Sequence, residues 1–163
     1  MQDNIIVKPS VEKQFDRFLR QGRVLFFSAP CGFGKTAVAE ALLSSREVLR
    51  LPADSAGFKL PSAEDDWQIL LLDDLQDMQE EQDWNALCEL IRACPERRFV
   101  LLSRGTPPGS LMAFQYTGLM TVLEADDLLF DADDVRRLFQ LSGANVTDSE
   151  IDGILKESVG YPL

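Results

Sequence analysis

Three stretches of the sequence carry residue types that can bind phosphate groups and assist the cleavage of a phosphoanhydride. The first, "SAPCGFGKT", nearly matches the phosphate-binding pattern G-x-x-x-x-G-K-S/T, with Ala29 where the pattern has its first glycine. In such a loop the glycines turn backbone N–H groups towards an anion, the lysine reaches the terminal phosphates, and the hydroxyl ligates Mg²⁺. The residues expected to contact a nucleotide are Pro30, Cys31, Gly32, Phe33, Gly34, Lys35, Thr36 and Ala37.

Ala29 leaves this chemistry intact, because the first glycine mainly serves the turn out of the preceding strand. A small alanine, fixed by Pro30 after it, can take that place, although Pro30 itself has no N–H to offer. Cys31 is either a redox-sensitive thiol or a small residue at a variable position, and we favour the second. The alternative to a phosphate site is a chance strand–helix turn. An apolar strand before the loop, a helix after it and an acidic partner downstream favour nucleotide binding.

The second stretch, "ILLLDDLQD", is an apolar run that ends in Asp73 and Asp74. A parallel strand delivers such carboxylates to the sheet edge where a phosphate loop also lies. We expect Asp73 to hold Mg²⁺ through water, and Asp74 to polarise or position an attacking water. The alternative is a solvated acidic pair after a core strand.

The third stretch, "FVLLSRG", also reads as a strand that ends in polar residues, Ser103 and Arg104. If this strand lies between the other two, both side chains can face a terminal phosphate. Arg104 would then sense or stabilise its charge. A surface arginine at a strand end is an equally good interpretation of the spacing.

Short apolar runs alternate with helical segments as far as residue 125, which predicts a three-layer α/β domain with a mostly parallel five-stranded sheet. The predicted strands cover 23–29, 46–51, 67–75, 97–104 and 118–125. The predicted helices cover 11–20, 35–45 and 83–94.

Beyond residue 125 the pattern changes to two amphipathic helices with acidic starts, 131–143 and 147–160, and no strand between them. We therefore predict a nucleotide-binding domain over 1–125 and the start of a small helical subdomain over 126–163.

Composition limits the choice of partners and compartment. The net charge is −11 and the basic residues form no cluster, so this chain is not expected to bind DNA by itself. The absence of histidine and of a CxxC pair argues against a zinc site. No apolar run reaches the roughly 20 residues of a membrane span and the start lacks signal-peptide character, so a cytoplasmic protein is expected.

Taken together, the motifs resemble the nucleotide-binding domain of the STAND ATPases, most of all that of the MalT-like, large LuxR-type transcription regulators. The resemblance covers about residue 5 to 163, and an Ala-Pro pair in the loop is a feature of that family. It is carried by "SAPCGFGKT", "ILLLDDLQ", "LLSRGTPPGSL", "DDLLFDADDVRRLF" and "ESVGYPL".

The resemblance implies an AAA-like P-loop NTPase fold and a switch that uses ATP, ADP and Mg²⁺. In that family the ADP state is closed and monomeric, inducer and ATP permit self-association, and slow hydrolysis resets the switch. Lys35 and Thr36 would contact phosphate and Mg²⁺, Asp73 and Asp74 would be the acidic pair, and Arg104 the sensor arginine. DNA would be bound by a C-terminal helix-turn-helix domain that this sequence does not contain, so we expect a piece of a longer protein.

Two other functions fit parts of the sequence. A small P-loop kinase would need an acceptor site and an arginine-bearing lid, for which the last two helices offer Arg136, Arg137 and Lys156. A non-catalytic interaction module would keep the fold and lose the nucleotide. The intact Gly-Lys-Thr and Asp-Asp motifs favour the switch over this last alternative.

Overall fold

A five-stranded parallel sheet forms the centre of the molecule, which is seen in a computed structural model that describes residues 5–160. The strands are β1 (Val24–Ser28), β2 (Val48–Pro52), β3 (Ile69–Asp73), β4 (Arg98–Ser103) and β5 (Met120–Glu124). Their order in the sheet is β2-β3-β4-β1-β5, and each neighbouring pair is parallel. This confirms the predicted α/β fold.

Helices cover both faces of the sheet and then continue beyond its last strand. They are α1 (Pro9–Gln21), α2 (Lys35–Leu43), α3 (Glu81–Ala93), α4 (Met112–Tyr116), α5 (Ala125–Leu128), α6 (Ala132–Leu141) and α7 (Asp148–Ser158). Helix α1 begins with proline in its first turn, a position that needs no N–H. It buries Val11, Phe15 and Phe18, the face that its spacing predicts.

Each strand contributes alternate residues to two separate cores, as the pleat of a sheet requires. On one face Phe26, Leu72 and Leu101 pack with α3 and α4. On the other face Phe27 and Leu71 pack with α1, α2 and α5. The alternation makes three layers, and it explains why the strands read as continuous apolar runs: both faces of the sheet are buried.

The position of β4 decides which side chains can meet. It lies between β3 and β1, with Ser103 beside Ser28 and Leu101 beside Leu72. Since all three strands run in the same direction, the phosphate loop, Asp73 and Arg104 leave the sheet at one edge. The strand of the third stretch therefore lies between the strands of the other two, which is the arrangement that Arg104 needs in order to face a bound phosphate.

The shortest elements were not predicted. They are helices α4 and α5 and two 3₁₀ turns, Leu75–Asp77 and Gly109–Leu111. Elements of three to five residues are too short for their apolar residues to show a helical period. The domain boundary predicted near residue 126 falls within α5 and stays a prediction.

The segment after β5 is joined to the start of α1 by Lys8, and its two ends are joined to each other. Lys8 donates to the carbonyl of Leu129 at 2.5 Å and lies 3.5 Å from a carboxylate oxygen of Asp134. The Phe130 N–H donates to the carbonyl of Gly160 at 2.7 Å. Gly160 has φ +78°, and a Cβ there would lie 3.0 Å from the Phe130 oxygen, so both the backbone angle and the space favour glycine in this Gly-Tyr-Pro motif. The rest of the motif lies outside the described residues.

Within the described part of the chain, no helix combines the length and the apolarity needed to cross a membrane.

Candidate nucleotide-binding site

The loop between β1 and α2 has the backbone conformation of an anion nest. Gly32 and Gly34 both lie in the left-handed region, at φ +87° and +73°. A Cβ built at either position meets nothing within 4 Å, so the backbone angle and not crowding calls for glycine. Gly34 is also the N-cap of α2, whose free first-turn N–H groups open towards the loop. Ala29 is 1% exposed, which suits a small residue at the strand exit.

Lys35 lies across this loop. Its ammonium donates to the carbonyls of Ala29 at 2.6 Å and Pro30 at 2.9 Å. Burial lowers the pKa of Lys35 below its ordinary value, Asp73 acts in the opposite direction, and Arg104 adds to the lowering. The loop lysine, the strand carboxylate and the arginine thus lie close enough to influence one another, and all three line one cavity.

The first residues of α2 and the end of β3 come into direct contact. The Thr36 hydroxyl donates to Asp73 Oδ2 at 2.8 Å, while Asp73 Oδ1 accepts the Asp74 N–H at 2.7 Å. Mg²⁺ prefers an octahedron of oxygens at about 2.0–2.1 Å, in which neighbouring oxygens are about 2.9 Å apart. The 2.8 Å contact is compatible with two roles for Asp73: a Mg²⁺ ligand beside the Thr36 hydroxyl or, as expected from the sequence, a carboxylate that holds Mg²⁺ through water.

Among the described residues no group of three or more His, Cys, Asp or Glu side chains forms a cage for a metal ion. Mg²⁺ is usually held by one or two protein oxygens, with water and substrate phosphates completing the shell. A metal at Thr36 and Asp73 would thus depend on a phosphate ligand.

Asp74 and Arg104 lie beside this pair. Asp74 has left-handed backbone angles, φ 58° and ψ 37°, unusual for a residue other than glycine. Its Oδ1 accepts from Gln76 Nε2 at 2.9 Å, and Gln76 Oε1 accepts the backbone N–H of Arg104 at 3.2 Å. The Arg104 side chain is exposed at the same sheet edge.

A single cavity of about 540 Å³ joins these groups. Its volume lies in the usual range for small-molecule sites. Of the residues predicted from sequence, it is lined by Cys31, Gly32, Gly34, Lys35, Thr36, Ala37, Asp73, Asp74 and Arg104.

Three residues singled out from the sequence lie elsewhere. Pro30 does not line the cavity, and Phe33, 5% exposed, packs in the core between the sheet and α2. Because the Phe33 side chain is buried, a ligand contact of Phe33 would come from its backbone. Ser103 is buried, and its hydroxyl accepts the Gly105 N–H at 3.1 Å. Of the two polar residues that end β4, it is Arg104 that reaches the cavity.

The other end of the cavity is apolar, and the sequence analysis does not predict it. It is lined by Ile5, Ile6, Val11, Leu128, Phe130 and Leu138, with Lys8 among them. These residues come from the segment before α1, from α1 itself and from the segment after β5. The "NIIV" run before α1 was the one available signal, since apolar residues ahead of a helix need a surface to pack on.

Comparison with known proteins shows the fold. No family model and no curated protein matches the sequence. The structure is similar to that of PH0952 from Pyrococcus horikoshii, described as a Signal Transduction ATPase with Numerous Domains (STAND) protein with a tetratricopeptide repeat sensor. The TM-score is 0.66 at 12% identity, over 99% of this chain and 29% of that one.

Two further neighbours agree. The Walker-type ATPase Paby2304 of Pyrococcus abyssi matches with a TM-score of 0.63 at 12% identity, over 99% of this chain and 65% of that one. A variant of RuvB from Thermotoga maritima matches with a TM-score of 0.59 at 16% identity, over 96% of this chain and 58% of that one. The chain has the fold of P-loop ATPases, STAND proteins included, and spans 29% to 65% of the length of these neighbours.

Proposed function

We propose that this chain is an ATP- and ADP-binding switch domain that works with Mg²⁺ and hydrolyses ATP slowly at most. The observation that carries the proposal is the contact of the Thr36 hydroxyl with Asp73 at 2.8 Å, directly beside a loop whose two glycines are left-handed. A hydroxyl and a carboxylate that meet in this way next to a nest of N–H groups suit a Mg²⁺–phosphate pair.

The proposed binding mode uses the cavity from end to end. The loop N–H groups and Lys35 would hold the phosphates, and Thr36 and Asp73 would hold Mg²⁺, which would neutralise phosphate charge. Arg104 would face the terminal phosphate. The base would lie at the apolar end, against Leu128 and the other apolar residues there.

We further propose that the switch belongs to a LuxR-type transcription regulator and acts in the cytoplasm. The support is the sequence resemblance across the loop, the Asp-Asp strand end and the "SRGTPPGSL" segment. DNA binding and any sensor would lie in other parts of a longer protein. Self-association would depend on the nucleotide and would involve that longer protein.

Calorimetric titration of the chain with ATP and with ADP, each with and without Mg²⁺, tests the proposal. We expect micromolar or tighter binding. Lys35→Ala should weaken it about 100-fold, because a charge-assisted contact to phosphate is removed at the centre of the site.

Lys59→Ala is the matched control, since Lys59 is an exposed lysine in the loop before β3. It should bind nucleotide as the unchanged protein does. Equal affinity of Lys35→Ala and the unchanged protein would overturn the assignment of the loop, and absence of binding to the unchanged chain would overturn the proposed function.

A further inference from the structure

The Gln76 side chain spans the ends of two strands at the proposed site without lining the cavity itself. Its Nε2 donates to Asp74 Oδ1 at 2.9 Å, and its Oε1 accepts the Arg104 N–H at 3.2 Å. A carboxamide has an acceptor and donors at opposite ends of a rigid plane. Both ends are in use here, which fixes the side chain between the Asp74 carboxylate, just after β3, and the backbone N–H of Arg104, just after β4.

The backbone after β3 places Gln76 in this position. Asp74 turns the chain with left-handed angles, and the 3₁₀ turn Leu75–Asp77 closes with an N–H of Asp77 donating to the Asp74 carbonyl at 3.0 Å. Leu75 anchors the turn in the core at 0% exposure. Because Leu75 is buried and Asp74 is held in a rare backbone conformation, Gln76 has little freedom to move away from β4.

Asp74 is therefore held from two sides. Its own N–H donates to Asp73, which also accepts from Thr36, and its carboxylate accepts from Gln76. One carboxylate oxygen is occupied by a neutral amide donor, which leaves the other to accept a hydrogen bond from water. Preorganisation of this kind removes the cost of orienting a catalytic group during the reaction.

We propose that Gln76 is a positioning residue for ATP hydrolysis, which fixes the Asp74 carboxylate towards the attacking water and holds it in register with Arg104. The inference rests on the proposed function. It predicts that loss of the Gln76 amide slows turnover and leaves nucleotide affinity unchanged, since Gln76 itself does not line the cavity.

Gln76→Met tests this, because methionine has a similar length and shape and lacks the amide. We expect kcat for ATP to fall about tenfold, while KM and the Kd for ADP stay within about twofold, since small displacements of a catalytic group cost one to two orders of magnitude. Unchanged ADP affinity also shows that the variant is folded. Gln79→Met is the matched control, an exposed glutamine just beyond the same turn, and should leave kcat unchanged.

Two further variants separate positioning from a structural role. Gln76→Glu keeps the acceptor for the Arg104 N–H and replaces the donor by an oxygen that faces Asp74. Its kcat should fall at least as far as that of Gln76→Met. In an Asp74→Ala background, Gln76→Met should slow turnover by less than about twofold, because residues that act through one another are not additive.

Each outcome decides the question. The positioning role is overturned if Gln76→Met lowers kcat about tenfold in the Asp74→Ala background as well, or if it leaves kcat unchanged in the otherwise unchanged chain. Either result leaves the assignment of nucleotide binding intact. A chain that binds ATP without turning it over overturns the role of Asp74 and of Gln76 together. A chain that binds no nucleotide overturns the proposed function, and the positioning role fails with it.

Discussion

The sheet region and the helical segment after it (residues 125–160) are stabilised by different means. The central strands β1, β3 and β4 are almost wholly buried, with Phe26, Leu72 and Leu101 at 0% exposure. The two long helices of the helical segment, α6 and α7, bury few residues, namely Asp134, Val135 and Ile151. In the sheet region residues far apart in sequence cover one another, whereas in the helical segment most stabilising contacts are local.

Those local contacts are mainly caps and surface ion pairs. Helices α6 and α7 each begin with a capping box, formed by Asp131 with Asp134 and by Thr147 with Glu150. Half-exposed Arg136 pairs with two exposed carboxylates, Asp133 at 2.7 Å and Asp148 at 2.9 Å. Such pairs contribute little in water. The helical segment therefore depends on its few connections to the sheet region, although it supplies part of the cavity wall through Phe130 and Leu138.

The largest difference should come from truncating one leucine in each region. Leu101→Ala removes a fully buried side chain from β4 and should lower the free energy of unfolding by about 2–5 kcal/mol, through lost burial and a cavity. Leu141→Ala removes a leucine of α6 that is 58% exposed, and it should change the free energy of unfolding by less than about 0.5 kcal/mol. Urea unfolding followed by circular dichroism measures both. Comparable losses would mean that the two regions are not distinct in packing.

The same division separates what the sequence predicts from what it does not. A strand buried on both faces reads as a continuous apolar run, so β1, β3 and β4 are recognisable, as are the polar residues at their ends. The register of those ends depends on strand order, which the sequence left conditional until β4 was found between β1 and β3. Fold and strand-end chemistry are thus accessible to pattern analysis.

The remaining features of the site arise from contacts between distant segments. One example is the left-handed turn at Asp74 with the buried Leu75 after it. Another is Gln76, whose position depends on the backbone N–H of Arg104, just after β4. The apolar end of the cavity joins Ile5, near the start of the chain, to Leu138 in α6. The pattern of residues within one segment does not show which distant segment it packs against, so contacts of this kind are not predictable from either segment alone.

A smaller effect should follow from breaking the connection made by Lys8. Asp134 is 3% exposed and lies 3.5 Å from the Lys8 ammonium, which also donates to the Leu129 carbonyl. Lys8→Met leaves that buried carboxylate without its cation and should destabilise the helical segment by about 1–3 kcal/mol. Hydrogen exchange should rise in α6 and α7 and stay unchanged in β1, β3 and β4.

Lys13→Met is the control for this change, since Lys13 is an exposed lysine of α1. It should leave exchange unchanged in both regions. If Lys8→Met speeds exchange in the central strands as much as in α6, the helical segment and the sheet unfold as one unit, and the comparison fails at this point.

The smallest effect is expected from acid, and it should reach the helical segment first. The N–H of Asp134 lowers the pKa of the Asp131 carboxyl, and the N–H of Thr147 lowers that of Glu150, because both hydrogen bonds favour the charged form. A carboxyl whose pKa is lower in the folded state adds stability above its unfolded pKa, about 4 for these residues, and loses it as the pH falls below that value.

Hydrogen exchange at the first turns of α6 and α7 should therefore rise as the pH is lowered below about 4, after correction for the intrinsic pH dependence of exchange. Helix α3 is the internal control, because its N-cap residue Glu80 makes no side-chain capping bond. Glu150→Gln keeps an acceptor for the Thr147 N–H and removes the titrating group, so α7 should then lose its acid response while α6 retains it. Equal acid responses at the starts of α3 and α7 would show that the caps are not what holds the helical segment together.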